Sequence, residues 1–177
     1  MNSAEPPLRD RVAAALAANP NAMTMQLSRD LGVPEAEVIR ALPEGRAVEL
    51  DIARWEELIR SFEALGAVHV IVSNGAVTLE ATGQFGNFST WGEFFNVQTK
   101  LDMHVRWPRL GAAFAVEKPG HLDGVPTLSV QFFDQDGQSA FKVFLTFGGK
   151  PPTPERRGQF DAICTQYGIN SAEAVAN

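Results

Sequence analysis

The spacing of apolar residues changes twice along this chain, and each change marks a change of element. Leu8, Val12, Ala15 and Leu16 recur three and four positions apart, which predicts an amphipathic helix over about 8–18. A short helix fits Thr24 to Asp30. Another fits Pro34 to Leu42, because proline suits a first helical turn and Pro43 blocks continuation. Met25 to Ile39 therefore reads like a helix-turn-helix. Asp51 is placed to cap a longer helix whose Trp55, Leu58, Ile59, Phe62 and Leu65 form one apolar stripe ending at Gly66.

From Ala67 the period drops to two. Val68, Val70 and Val72 fall on one face of a strand, and His69, Ile71 and Ser73 on the other. Asn74-Gly75 predicts a tight hairpin turn, with Val77, Leu79 and Ala81 continuing the pattern on the return strand. Gly83 to Asn87 reads as a glycine-broken loop, and Trp91 to Gln98 and Leu101 to Trp107 as two further strands. In the second of these, Leu101, Met103, Val105 and Trp107 share a face, leaving Asp102, His104 and Arg106 opposite. Pro108 to Glu117 fits either a helix or a buried strand, and Pro119 to Gly124 is a loop by composition. Leu128 to Phe133 and Ala140 to Phe147 predict another hairpin. Phe141, Val143, Leu145 and Phe147 point one way, and Lys142, Phe144 and Thr146 the other. The helical period returns from about Thr153 to Tyr167.

Helices flanking a mainly antiparallel sheet define an α+β fold. With 177 residues and 45% apolar content, the chain suits one domain: a helical segment over 1–50, a sheet core with flanking helices over 51–170, and a frayed tail over 171–177. A formal charge of -6 argues against broad attraction to phosphate backbones or anionic membranes, so any anion must be met by a local basic group. Only Arg29, Arg40 and Arg46 bring positive charge to the helix-turn-helix-like stretch, with Glu35, Glu37 and Glu44 among them. The expectation is therefore a packing element and no nucleic-acid partner. The single cysteine, Cys164, cannot form an intrachain disulfide, and no Cys/His spacing suits zinc. With no signal peptide and no bilayer-spanning segment in the pattern, the expected location is cytoplasmic, without membrane insertion.

Several ordered motifs resemble the ChuX/HutX family of intracellular haem-utilisation carriers, related to the HemS/ChuS group. They are Gly92-Glu93-Phe94-Phe95-Asn96-Val97, Met103-His104-Val105, Ala115-Val116-Glu117-Lys118, and Val130 to Gly137 followed by Phe141-Lys142-Val143-Phe144-Leu145. The resemblance covers about Met23 to Ile163. It implies a split, saddle-like antiparallel sheet, a homodimer imitating the two halves of a HemS-type protein, and haem as bound cargo.

Haem requires an apolar surface for its macrocycle, a ligand for iron, and cations or backbone donors for two propionates. His104 matches a histidine of the family motif and is the first candidate for axial ligand, with Arg106 on the same strand face. Phe85, Phe88, Trp91, Phe94 and Phe95 are candidates for the wall. His69 and His121 are further candidates, against the plainer readings of a half-buried and a solvated imidazole. Lys142, Arg106, Arg109 and Lys118 are candidates for the propionates, Lys142 matching the family motif best. Two positions depart from the resemblance: Phe94 stands where some members carry tyrosine, and Ser73 where some carry histidine. Neither side chain replaces the iron ligand it stands for. Met23, Met25 and Met103 are expected in the core, and Tyr167 as a packing residue.

The leading expectation is thus a non-enzymatic carrier of haem, or of a haem breakdown product, in haem uptake and iron utilisation, with no catalytic residues. Haem degradation of the HemS-like type and flavin binding in a split barrel are the alternatives. No Ser/His/Asp set, paired carboxylates or phosphate-loop glycine pattern calls for an enzyme.

Overall fold

The switch to period two at Ala67 coincides with entry into a sheet, and the computed structural model describes the consequences for residues 5–121 and 123–169. In chain order the elements are α1 (Leu8–Ala18), α2 (Thr24–Leu31), α3 (Glu35–Arg40), β1 (Ala47–Leu50), α4 (Trp55–Ser61), β2 (Val68–Ser73), β3 (Thr78–Gly83), β4 (Phe88–Trp91), β5 (Phe94–Gln98), β6 (Asp102–Arg106), β7 (Leu110–Pro119), β8 (Pro126–Asp134), β9 (Ser139–Phe144) and α5 (Pro154–Tyr167). Six strands pair in the order β1-β7-β8-β9-β2-β3, and β4-β5-β6 form a separate three-stranded sheet. This is the split α+β architecture expected. The tail at 171–177 lies outside the described residues.

The two faces of the large sheet bury different sets of side chains. On one face Val68, Val70, Ala113, Ala115, Leu128, Val130, Phe132, Phe141 and Val143 join the stripes of α4 (Leu58, Ile59) and α5 (Phe160, Ile163) in the main core. The inner face of the small sheet, Phe95, Val97 and Val105, closes that core. On the other face Ala112, Phe114, Val116 and Phe133 meet Val12, Leu27, Val38 and Ile39 from α1 to α3. The helix-turn-helix-like stretch is therefore packed against β7 and β8. The rest of that face, over β8, β9, β2 and β3, is left uncovered by this cluster, and the cavity described below lies there.

Four local expectations change. Residues 47–50, assigned by sequence to the helical segment, form β1 against Val116 to Ala113 of β7. The single strand expected over Trp91 to Gln98 is divided: Phe88 to Trp91 form β4, and Gly92 (φ 57) turns the chain into β5 at Phe94. The ambiguous stretch after Pro108 resolves as β7, whose Ala112 to Val116 are all buried because the strand is covered on both faces. The first hairpin turns around Gly75 (φ 86) and Ala76, with Asn74 donating its backbone N–H to the Val77 carbonyl and accepting at Oδ1 from the N–H groups of Ala76 and Val77. The turn thus lies one residue later than the Asn-Gly reading, with Gly75 at its first central position.

Candidate functional site

A cavity of about 350 Å³ lies between the exposed part of the large sheet and α2. Its floor follows from strand register: Gln131 sits opposite Lys142, Lys142 opposite Ile71, and Ile71 opposite Glu80. Ser73, Thr78 and Phe144 extend this surface, while Lys118, His121, Met23 and Met25 line the remaining walls. Lys142 donates to Glu35 Oε1 at 2.5 Å, and Glu35, 2% exposed, also accepts from the Thr24 hydroxyl at 2.5 Å. The cation that best matches the propionate role is thus already neutralised by a carboxylate from α3. Burial pushes the Lys118 ammonium down to about 8, the charge of Lys142 acting in the same direction and Glu35 opposing it. Among the described residues Lys118 donates only to the carbonyl of Pro119, at 2.8 Å. Gln131 donates to Ser129 Oγ, and its buried Oε1 has no hydrogen-bond partner among the described residues.

A second surface, on the outer face of the small sheet, collects the other candidates. Alternation along β5 and β6 turns Phe95, Val97 and Val105 inward and Phe94, Asn96, His104 and Arg106 outward. Strand register sets Ser89 opposite Asn96 and Asn96 opposite His104. Asn96 Oδ1 accepts from His104 Nδ1 at 2.7 Å, while the His104 side chain remains 61% exposed. Its Nε2 is 3.9 Å from Asp102 Oδ1, beyond hydrogen-bond range. Arg106 donates through Nε and Nη2 to Glu93 Oε2 at 3.0 and 2.8 Å. Trp91 and Phe94 are exposed beside one another in register.

The sequence candidates therefore separate into two groups. His104, Arg106 and Phe94 share the small-sheet face; Ser73, Lys142, Lys118 and His121 line the cavity. His69 reaches neither as a free ligand, since Nδ1 meets Thr82 Oγ1 and Nε2 meets Glu80 Oε2, both at 2.9 Å, and its ring stacks on Phe147. Arg109 faces Asp136 at 3.5 Å. Phe95 is corrected from wall to core: fully buried, it packs edge-on against Trp55 and stacks on Phe88. Phe85 is likewise core, against Phe62. Met23 and Met25 change in the opposite sense, from expected core to cavity lining, because α2 begins at the cavity rim. Sequence reasoning missed Glu35, whose partner Lys142 is distant in the chain, and Asn96, whose role depends on strand register. Among the described residues no group of three or more His, Cys, Asp or Glu side chains forms a metal site.

A profile of the haem utilisation ChuX/HutX family matches residues 48–163. The chain is 24% identical over 164 residues to the intracellular heme transport protein HutX of Vibrio cholerae serotype O1, covering 90% of this chain and 84% of that protein. It superposes on the crystal structure of ChuX with a TM-score of 0.77 at 19% identity, over 90% of this chain and 97% of the other. With the heme degrading enzyme ChuS of Escherichia coli O157:H7 the TM-score is 0.76 at 20% identity, over 93% of this chain and 47% of ChuS. The chain thus has the ChuX fold and spans about half of ChuS.

Proposed function

The chain belongs to the haem utilisation ChuX/HutX family, and from that premise we propose that it is a cytoplasmic, non-enzymatic haem carrier that holds the iron through His104. The observation that carries this reading is the His104 imidazole itself. Its Nδ1 is engaged by a buried asparagine, which leaves Nε2 as the ligating atom on an exposed face beside Phe94, Trp91 and Arg106. An outward imidazole braced from behind is the arrangement found at protein metal centres. Haem would supply the iron and the macrocycle; the chain would supply one axial nitrogen, apolar surface and, on exchange of its Glu93 partner, the Arg106 cation for a propionate.

A second reading has its own support. The cavity gathers Lys118, Lys142, Ser73, His121 and two methionines around a largely apolar surface, and haem seated there would take His121 as its imidazole. Titration with hemin discriminates the two. Under the first reading His104→Ala removes the saturable Soret band and His121→Ala leaves it; under the second the outcomes exchange. For a carrier, incubating the complex with a reductant should leave the porphyrin intact; bleaching to a bilin would favour degradation instead.

The working unit on this proposal is a homodimer. Val72, Val77 and Leu79 are exposed on β2, the hairpin loop and β3, and among the described residues β3 is an edge strand of the large sheet. Such an edge favours pairing. ChuS, about twice as long, has room for two units of this size in one chain.

A further inference from the structure

We propose that Asn96 is a positioning residue that fixes the tautomer of His104 through a polarised row of side chains crossing the small sheet. The inference rests on the reading of His104 as iron ligand for its functional meaning, but its geometry stands alone. Ser89, Asn96 and His104 are directly opposite one another on β4, β5 and β6. The Ser89 hydroxyl donates its single hydrogen to Gln98 Oε1 at 3.1 Å. Ser89 Oγ can then only accept toward Asn96, and it does so from Nδ2 at 3.2 Å. That turns the carbonyl end of the Asn96 amide to His104, so the hydrogen on the ring lies at Nδ1 and the lone pair at Nε2.

Each step constrains the next because a hydroxyl has one hydrogen and an amide has one acceptor end. Asn96 is 7% exposed, so little water competes for its amide, and the preference is carried by the protein. The row has one self-consistent reversal. If Gln98 donated to Ser89 and Ser89 to Asn96, the amide would donate to Nδ1, and Nε2 would carry hydrogen. Such a ring presents no lone pair outward. Asn96 and Ser89 therefore decide which nitrogen of the His104 ring presents its lone pair outward, although neither would touch the iron. An Nδ1–H held by a carbonyl oxygen also makes Nε2 a stronger donor.

The test begins with the apo protein labelled with 15N-histidine, in which long-range proton–nitrogen correlations report the tautomer of the neutral ring. Wild type is expected as the Nδ1–H form. Asn96→Val should shift it toward the mixture of free histidine, Ser89→Ala should do so partly, and Asn96→Asp should restore the Nδ1–H form. The hemin off-rate should rise about 10- to 100-fold in Asn96→Val and return toward wild type in Asn96→Asp. An Nε2–H ring in wild type, or an Nδ1–H ring unchanged in both Asn96→Val and Ser89→Ala, overturns the proposal. Should the tautomers behave as stated while His104→Ala binds hemin with a wild-type spectrum, the row is upheld and the ligand assignment alone fails.

Discussion

On the large sheet the Lys142 and Glu35 charges near the cavity are answered from within the fold, whereas on the small sheet a polar row ends in an imidazole facing solvent. Lys142 is held by Glu35, Glu35 by Thr24, and Gln131 by Ser129. Ser89, Asn96 and Gln98 form an equally continuous network, yet its terminal member exposes an unclaimed nitrogen. The first arrangement ties α2 and α3 to the sheet and spends its best cation on an internal carboxylate. The second leaves the Nε2 edge of an imidazole open to solvent. Burial accounts for the difference: a buried charge needs a partner, while a ring at a sheet surface can be braced at one nitrogen and open at the other.

The comparison breaks most visibly at Glu35. Glu35→Gln leaves Lys142 without its carboxylate on a largely covered surface, and unfolding by denaturant should show a loss of about 3 kcal/mol. Replacing both partners with apolar residues, Glu35→Leu with Lys142→Met, should recover much of that loss. A neutral effect of Glu35→Gln would mean that the pair does not anchor the helical segment. Next in size, His104→Ala should weaken hemin binding about 100-fold, or about 2.8 kcal/mol, and Lys142→Met should change it little.

Lys118 sharpens the contrast through pH. Its folded-state pKa of about 8 lies below the ordinary 10.5, so the unfolded chain holds this proton more tightly. The cost to stability is therefore fully present below pH 8 and is relieved as pH rises from about 8 to 10.5. Lys118→Met should remove this rise, on the order of 1–2 kcal/mol after partial screening by solvent, measured as the pH dependence of unfolding. A carboxylate that binds in the cavity through this ammonium should lose affinity as pH passes 8, whereas hemin held at His104 should not follow that titration. The smallest effect is expected at His69. Both ring nitrogens have partners, so His69→Gln should leave the hemin spectrum unchanged and cost no more than about 1 kcal/mol of stability.

Much of the fold was legible because one face of most elements is buried and the other is not. The α4 stripe, the β2 alternation and the in–out pattern of β6 appear in sequence for that reason. β7 was ambiguous because Ala112 to Val116 are buried on both faces and leave no period. β1 was missed because its Ala47, Val48 and Glu49 are only half-covered and its hydrogen bonds come from β7, far along the chain. The candidate site divided similarly. His104 and Arg106 were found together because two positions on a strand share a face. The wall was over-assigned because a run of aromatic residues does not reveal which rings point inward, and Phe95 does. Partners distant in sequence, such as Lys142 with Glu35, leave no local signal.

The most direct measurement of the central claim is the resonance Raman spectrum of the reduced haem complex in wild type and in His104→Gly. The account predicts an iron–imidazole stretching band in wild type, its loss in the variant, and its return when free imidazole is added to fill the vacated position. A band that persists in His104→Gly without added imidazole would contradict it and move the ligand to another histidine.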